Sequence, residues 1–157
     1  MYVYILSASL ATTGAAIGAE PVTGSIMQIL SGIFHHGLIV DDLDSAMKQI
    51  GQAGGYEWTD VRAFDPLPVW TPEHGRGEAR LRVAYSRQGP VRMELVEVVP
   101  GSPYDTLRHI DRSHIGVWVD NVGDSVEELC GQGWRILVAG ASDRRRYGSM
   151  TNLVRDG

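Results

Sequence analysis

An α+β fold built from two like halves is what this 157-residue chain predicts, on three observations. The first is a repeat: residues 35–43 (HHGLIVDDL) and 114–122 (HIGVWVDNV) match position for position, 79 residues apart. Each copy holds a histidine, a glycine two places on, a short apolar stretch closing in Val-Asp, and then a helical pattern. Such self-similarity fixes architecture ahead of any single motif. The second observation is the order of patterns, which runs strand, helix, strands in both copies, with the second copy one strand short. The third is composition. With 43% apolar and 21% charged residues the chain is an ordinary globular one, with room for one domain or two small modules sharing a core.

Taken in order, residues 1–28 read as an extension outside the fold. Met1 to Gly24 is rich in Ala, Gly, Ser and Thr, has no Lys or Arg, and carries Glu20 as its one acidic residue. Ser, Thr and Gly break its apolar stretch, which argues against a membrane span. A secretory signal is the alternative: the positive start is missing, although Ala16-Ile17-Gly18-Ala19 is a passable cleavage site. A start at Met27 is a third reading.

The fold proper is expected over 29–157, with one module at 29–100 and a second, shortened one at 113–157. Ile33 to Val40 is strand-like. Asp41, Asp42 and Asp44 offer capping carboxylates before Ala46, Met47 and Ile50, and Gly54-Gly55 ends that helix. Tyr56 to Val61 suits a strand. Phe64 to Gly77, with Pro66, Pro68 and Pro72, reads as a long loop of the kind that borders a site. Ala79–Ser86 and Val91–Val98 are strands joined by a hairpin signal at 87–90. In the second module, strand Ile115–Val119, helix Val122–Gln132, strand Trp134–Ala139, a polar loop 140–148 and strand Met150–Val154 follow. A sheet one strand short leaves an open edge, so a homodimer or poor stability is expected.

The net charge of −5 argues against nucleic acid as a partner. Arg144-Arg145-Arg146 is the local exception, either a solvated loop or a clamp for an anionic substrate. The single cysteine, Cys130, excludes an intrachain disulfide and suits a reducing, cytoplasmic setting. Its place in a helical pattern suggests a small buried side chain. No membrane partner is expected, and the shared histidine position suggests one small-molecule site built by both halves.

The two His-x-Gly-apolar-x-Val-Asp stretches, with Met93-Glu94-Leu95-Val96-Glu97 between them, resemble the vicinal oxygen chelate superfamily of glyoxalase I, methylmalonyl-CoA epimerase, extradiol dioxygenases and bleomycin-resistance proteins. The resemblance runs from Ile29 to Gly157. It implies paired βαβββ modules that close a mixed sheet around a cavity, the second lacking its last strand. It also implies a divalent metal ion (Zn, Ni, Mn, Co or Fe) held by His35, Glu94 and His114. The family's fourth ligand follows an Asp-Gly turn like Asp156-Gly157, and its counterpart would fall beyond Gly157. Members often dimerise.

Elementary chemistry agrees with that donor set. Two neutral imidazoles and a carboxylate are a normal shell for such ions, with positions left for water and substrate. The ion polarises a carbonyl or stabilises an enediolate, while a carboxylate such as Glu94 moves a proton. Strand alternation keeps His35 and His36 on opposite faces; the match of Ile115 to His36 selects His35 for the site and leaves His36 packed or hydrogen-bonded. By the same rule Glu97 faces away from Glu94, toward solvent or an arginine. Trp118 shares the face of His114, where it lines the pocket or packs in the core. Trp70 is either a lid or a surface anchor, and His74 and His109 are solvated loop residues. The expected activity is that of a metal-dependent lyase, isomerase or epimerase acting on a small oxygenated substrate through an enolate-type intermediate. The alternatives are a metal-free ligand-binding or resistance module and an extradiol dioxygenase.

Overall fold

In the computed structural model, which describes residues 2–8, 32–105, 109, 112–144 and 147–155, apolar strands wrap into a barrel around a central cavity. The elements are β1 (Tyr2–Ala8), β2 (Ile33–Val40), α1 (Leu43–Gly54), β3 (Arg62–Thr71), β4 (Gly75–Tyr85), β5 (Arg92–Val98), a 3₁₀ turn (Pro103–Asp105), β6 (Ser113–Val119), α2 (Val122–Gly131), β7 (Arg135–Gly140) and β8 (Met150–Arg155). Around the barrel the order is β1-β6-β2-β5-β4-β3-β7-β8, closed by the pairing of β8 with β1. The sheet is mixed, since β2 runs parallel to β5 and β1 parallel to β8 while the other pairs are antiparallel. The α+β fold with a cavity-forming mixed sheet is therefore as the sequence predicts. No helix among the described residues is long and apolar enough to cross a membrane.

Period-two alternation sorts the side chains into layers. Ile39, Leu81, Val83, Val96, Val98 and Val154 point inward and form the core cluster that lines and floors the cavity. On the outer face, α1 lays Leu43 over Ala84 and Leu95, with Leu38, Val40, Ala46, Met47 and Ile50 around them. Helix α2 sets Val122, Val126 and Leu129 against Val117, Ala139 and Leu153 in the same way. Both helices are capped as the sequence suggests. The Asp42 carboxylate accepts from the Ser45 N–H, and Asn121 accepts from Gly123 and Asp124. Gly55, at φ 68°, ends α1 in the left-handed region that favours glycine.

Four expectations are corrected. The stretch Phe64–Gly77 is not a long loop: it forms the paired arms of β3 and β4 around a short turn at 72–74. Its prolines fit because β3 meets β7 only at Val69 and Trp70, so the Pro66 region is a free edge, and the register slips between Phe64 and Leu67. Tyr56–Val61 contributes an isolated bridge between Trp58 and Ser86 in place of a strand. Cys130 is exposed, because Leu129 takes the inward position on α2. Finally, Tyr2–Ala8 does not stand outside the fold. Its backbone pairs antiparallel with β6 and parallel with β8. In the first half β5 runs parallel to β2 and antiparallel to β4; β1 takes the matching place beside β6 in the opposite direction and covers the edge expected to be open. Residues 9–31, Arg145, Arg146, Asp156 and Gly157, and with them the cleavage-site and basic-clamp readings, lie outside the described residues.

Candidate metal centre

Strand register builds the site. Directly paired residues share a face, and one inward row runs around the barrel as Tyr85, Glu94, Gly37 and His114 on β4, β5, β2 and β6. On the same face of β2, His35 pairs with Gly116 of β6. Each histidine thus lies across from the other copy's glycine, and this explains the His-x-Gly spacing. A Cβ added at Gly37 would fall inside the His114 ring, and one at Gly116 inside the His35 ring. The absent side chains leave each imidazole room over its neighbouring strand, where the two rings meet edge to face at 5.3 Å.

The two rings and the carboxylate converge. Ligand-type atoms of His35, Glu94 and His114 all lie within 4.8 Å of one another, and the three residues are buried. His114 Nε2 is hydrogen-bonded to Glu94 Oε2 at 2.8 Å. His35 Nε2 stands 3.1 Å from the same oxygen at an angle that makes no hydrogen bond, so both its ring nitrogens are buried without a hydrogen-bond partner. Burial raises the Glu94 carboxyl's pKa, but the hydrogen bond from His114 and the nearness of His35 prevail and hold it well below the usual carboxylate range. An orphaned buried imidazole, a carboxylate held ionised and glycine cradles on both sides fit a divalent cation.

The cluster opens on a cavity of about 430 Å³. Ile39, Leu81, Val83, Val96 and Met150 make its wall apolar, and Trp118 lines it at the level of the histidines. Among the further polar side chains there that sequence reasoning missed are Tyr85, Tyr104 and Asn152. Tyr85 has its ring 5.7 Å from that of His35, and burial followed by the Glu94 charge pushes its phenol well above the usual range. Asn152 donates from Nδ2 to the Tyr104 hydroxyl at 2.7 Å, while its own Oδ1 is buried without a hydrogen-bond partner. Tyr85 had a signal in its alternation with Leu81 and Val83 on an apolar strand; Tyr104 and Asn152 had none, because one sits in a short turn and the other in an unremarkable strand.

The remaining candidates separate from the centre. Trp70 does not line the cavity; it is part of β3, packs with the cluster beneath α2, and has its ring 6.4 Å from that of Tyr147. His36 is exposed rather than packed, because it lies on the outer face of β2 short of the helix-covered Leu38 and Val40. Glu97 faces outward and binds Arg82 at 3.2 Å, and it also accepts the Leu43 N–H at the start of α1. His74 and His109 are exposed.

A search of the curated proteins finds no match. Among solved structures, a variant of Streptomyces coelicolor methylmalonyl-CoA epimerase in complex with 2-nitronate-propionyl-CoA is 15% identical, with a TM-score of 0.42 over 79% of this chain and 96% of that one. A second variant of that epimerase with the same compound is 16% identical at 0.42, over 79% and 94%. A hypothetical protein from Bacillus halodurans is 15% identical at 0.41, over 80% and 93%. The sequence model of one family matches residues 34–149, from the first histidine strand to the threshold of β8. The chain belongs to the glyoxalase/bleomycin resistance protein/dioxygenase superfamily.

Proposed function

We propose that the protein is a metal-dependent enzyme of the lyase, isomerase or epimerase kind, acting on a small oxygenated substrate at the barrel cavity. The observation that carries this reading is the buried meeting of His35, Glu94 and His114 at the cavity wall, with the His35 ring nitrogens left without hydrogen bonds. His35, Glu94 and His114 would hold a divalent ion, which when bound would supply Lewis-acid stabilisation of negative charge on a substrate oxygen.

The chain's own groups supply the setting for that chemistry. Glu94, held ionised between two imidazoles, is better suited to ligation than to taking a proton while both rings lean on it. Tyr85, kept protonated by burial and by Glu94, is placed to donate a hydrogen bond to a substrate oxygen at the same level of the barrel. The apolar wall excludes water around the reacting carbon, which strengthens each of these interactions. Glycines 37 and 116 keep the imidazoles in place without filling the space in front of them.

Elemental analysis of the purified protein tests the proposal. About one divalent ion per chain is expected for three converging ligands, with loss of the ion in His114→Ala and in His35→Ala. A folded protein that takes up no divalent ion, yet still binds apolar ligands in the cavity, would instead be a metal-free binding module of the same superfamily.

A further inference from the structure

Arg62 stands out among the cavity's lining residues. It opens β3 and pairs with Val83 of β4, as Phe64 pairs with Leu81, so register puts Arg62 on the inward face of the barrel. Val83 in turn pairs with Val96, and the next inward row of the same strands is Tyr85 and Glu94. Arg62 therefore sits one row from the metal centre and two strand spacings, about 10 Å, from the strand of Glu94. Its side chain is exposed and lines the cavity together with exposed Phe64.

Four outer arginines of this acidic protein hold carboxylates, Arg76 with Asp143, Arg80 with Asp65, Arg82 with Asp44 and Arg112 with Asp41, while Arg87 bonds the Trp58 carbonyl. Arg62 has no carboxylate within ion-pair reach among the described residues. A cation set on the inner face of an apolar barrel, unpaired and next to a cluster that suits oxygen ligands, has the chemistry of an anchor for an anion. Its planar fork of donors matches an oxyanion in two-point contact.

We infer that Arg62 binds an anionic oxygen group of the substrate, a carboxylate or a phosphate, and so restricts the enzyme to small acids whose other oxygens face His35, Glu94 and His114. This rests on the cavity being the ligand site, as proposed above, but not on the metal. An apolar body fits between the two ends along Leu81, Val83 and Val96.

Binding of hexanoate, n-hexyl phosphate and 1-hexanol to metal-free protein, measured by calorimetry, tests the inference. Without metal, the Glu94 carboxylate repels an anion from the far end and leaves Arg62 as its partner. Arg62→Ala is expected to weaken at least one of the two anions by about tenfold, with 1-hexanol unchanged. Arg62→Lys should restore part of the loss, and added salt should weaken anion binding in the parent but not in Arg62→Ala. The anion that binds more tightly tells a carboxylate substrate from a phosphorylated one. Equal anion affinity in parent and Arg62→Ala overturns the inference, as does an equal loss for 1-hexanol, which would make Arg62 a packing residue, or no binding of either anion. Zinc uptake is read separately: its failure in the parent counts against the metal reading and leaves the anion result standing, whereas its loss in Arg62→Ala alone makes Arg62 a structural residue and overturns the inference.

Discussion

A histidine two residues before a glycine is a common enough pair, and its meaning here depends on what lies opposite. Gly37 faces His114 and Gly116 faces His35, so each imidazole occupies the volume of a side chain that the other strand lacks. The motif was legible because strand alternation assigns faces without knowledge of the fold; the same rule put Glu94 and Glu97 on opposite faces, and the family resemblance chose Glu94 as the inward one. Tyr104 and Asn152 were not legible, since their meeting joins a turn to a strand 48 residues away and no local pattern announces it. A direct consequence belongs at this scale. In Gly116→Ala the new methyl group displaces the His35 ring, so zinc affinity should fall by about 10- to 100-fold, the range seen when a ligand's support is disturbed, while exposed His36→Ala leaves it unchanged. Competition titration against a chromophoric chelator reads both variants.

At the level of elements, Glu97 ties three pieces together. Its carboxylate accepts the Leu43 N–H at the first turn of α1 and binds Arg82, which also binds Asp44. A negative charge at a helix N-terminus is favourable, because the first N–H groups have no partner within the helix. Glu97→Ala should cost about 1 kcal/mol, a fall in Tm of about 2–4 °C for a chain of this size, and circular dichroism melts would show it with metal uptake intact. The prolines of β3 teach the opposite lesson. Pro66 and Pro68 suggest a loop to any local reading, and only the short contact of β3 with β7 explains why a strand tolerates them.

Across the whole molecule, closure of the sheet is the largest departure from expectation. The backbone of Tyr2–Ala8 lies between β6 and β8 and pairs with both, so the edge that pointed to dimerisation is covered from within. Removing residues 1–8 would bare two strand edges on either side of the gap. The shortened protein is expected to melt at lower temperature and to self-associate, and size-exclusion chromatography with light scattering would detect the change; a monomer of parental stability would mean that β1 contributes little to the barrel.

By itself the sequence determined the α+β class, the two repeated strand–helix units and the matched pair His35 and His114, while Glu94 entered through the resemblance to a known family. Those features follow from periodicity and from a duplicated motif, both of which are local properties of the chain. The tertiary structure alone decided which strands became neighbours, and with that the proline-bearing hairpin, the covered edge, the meeting of Tyr104 with Asn152 and the inward position of Arg62. Pairing between distant segments depends on how the whole sheet closes, and no window of sequence carries that information.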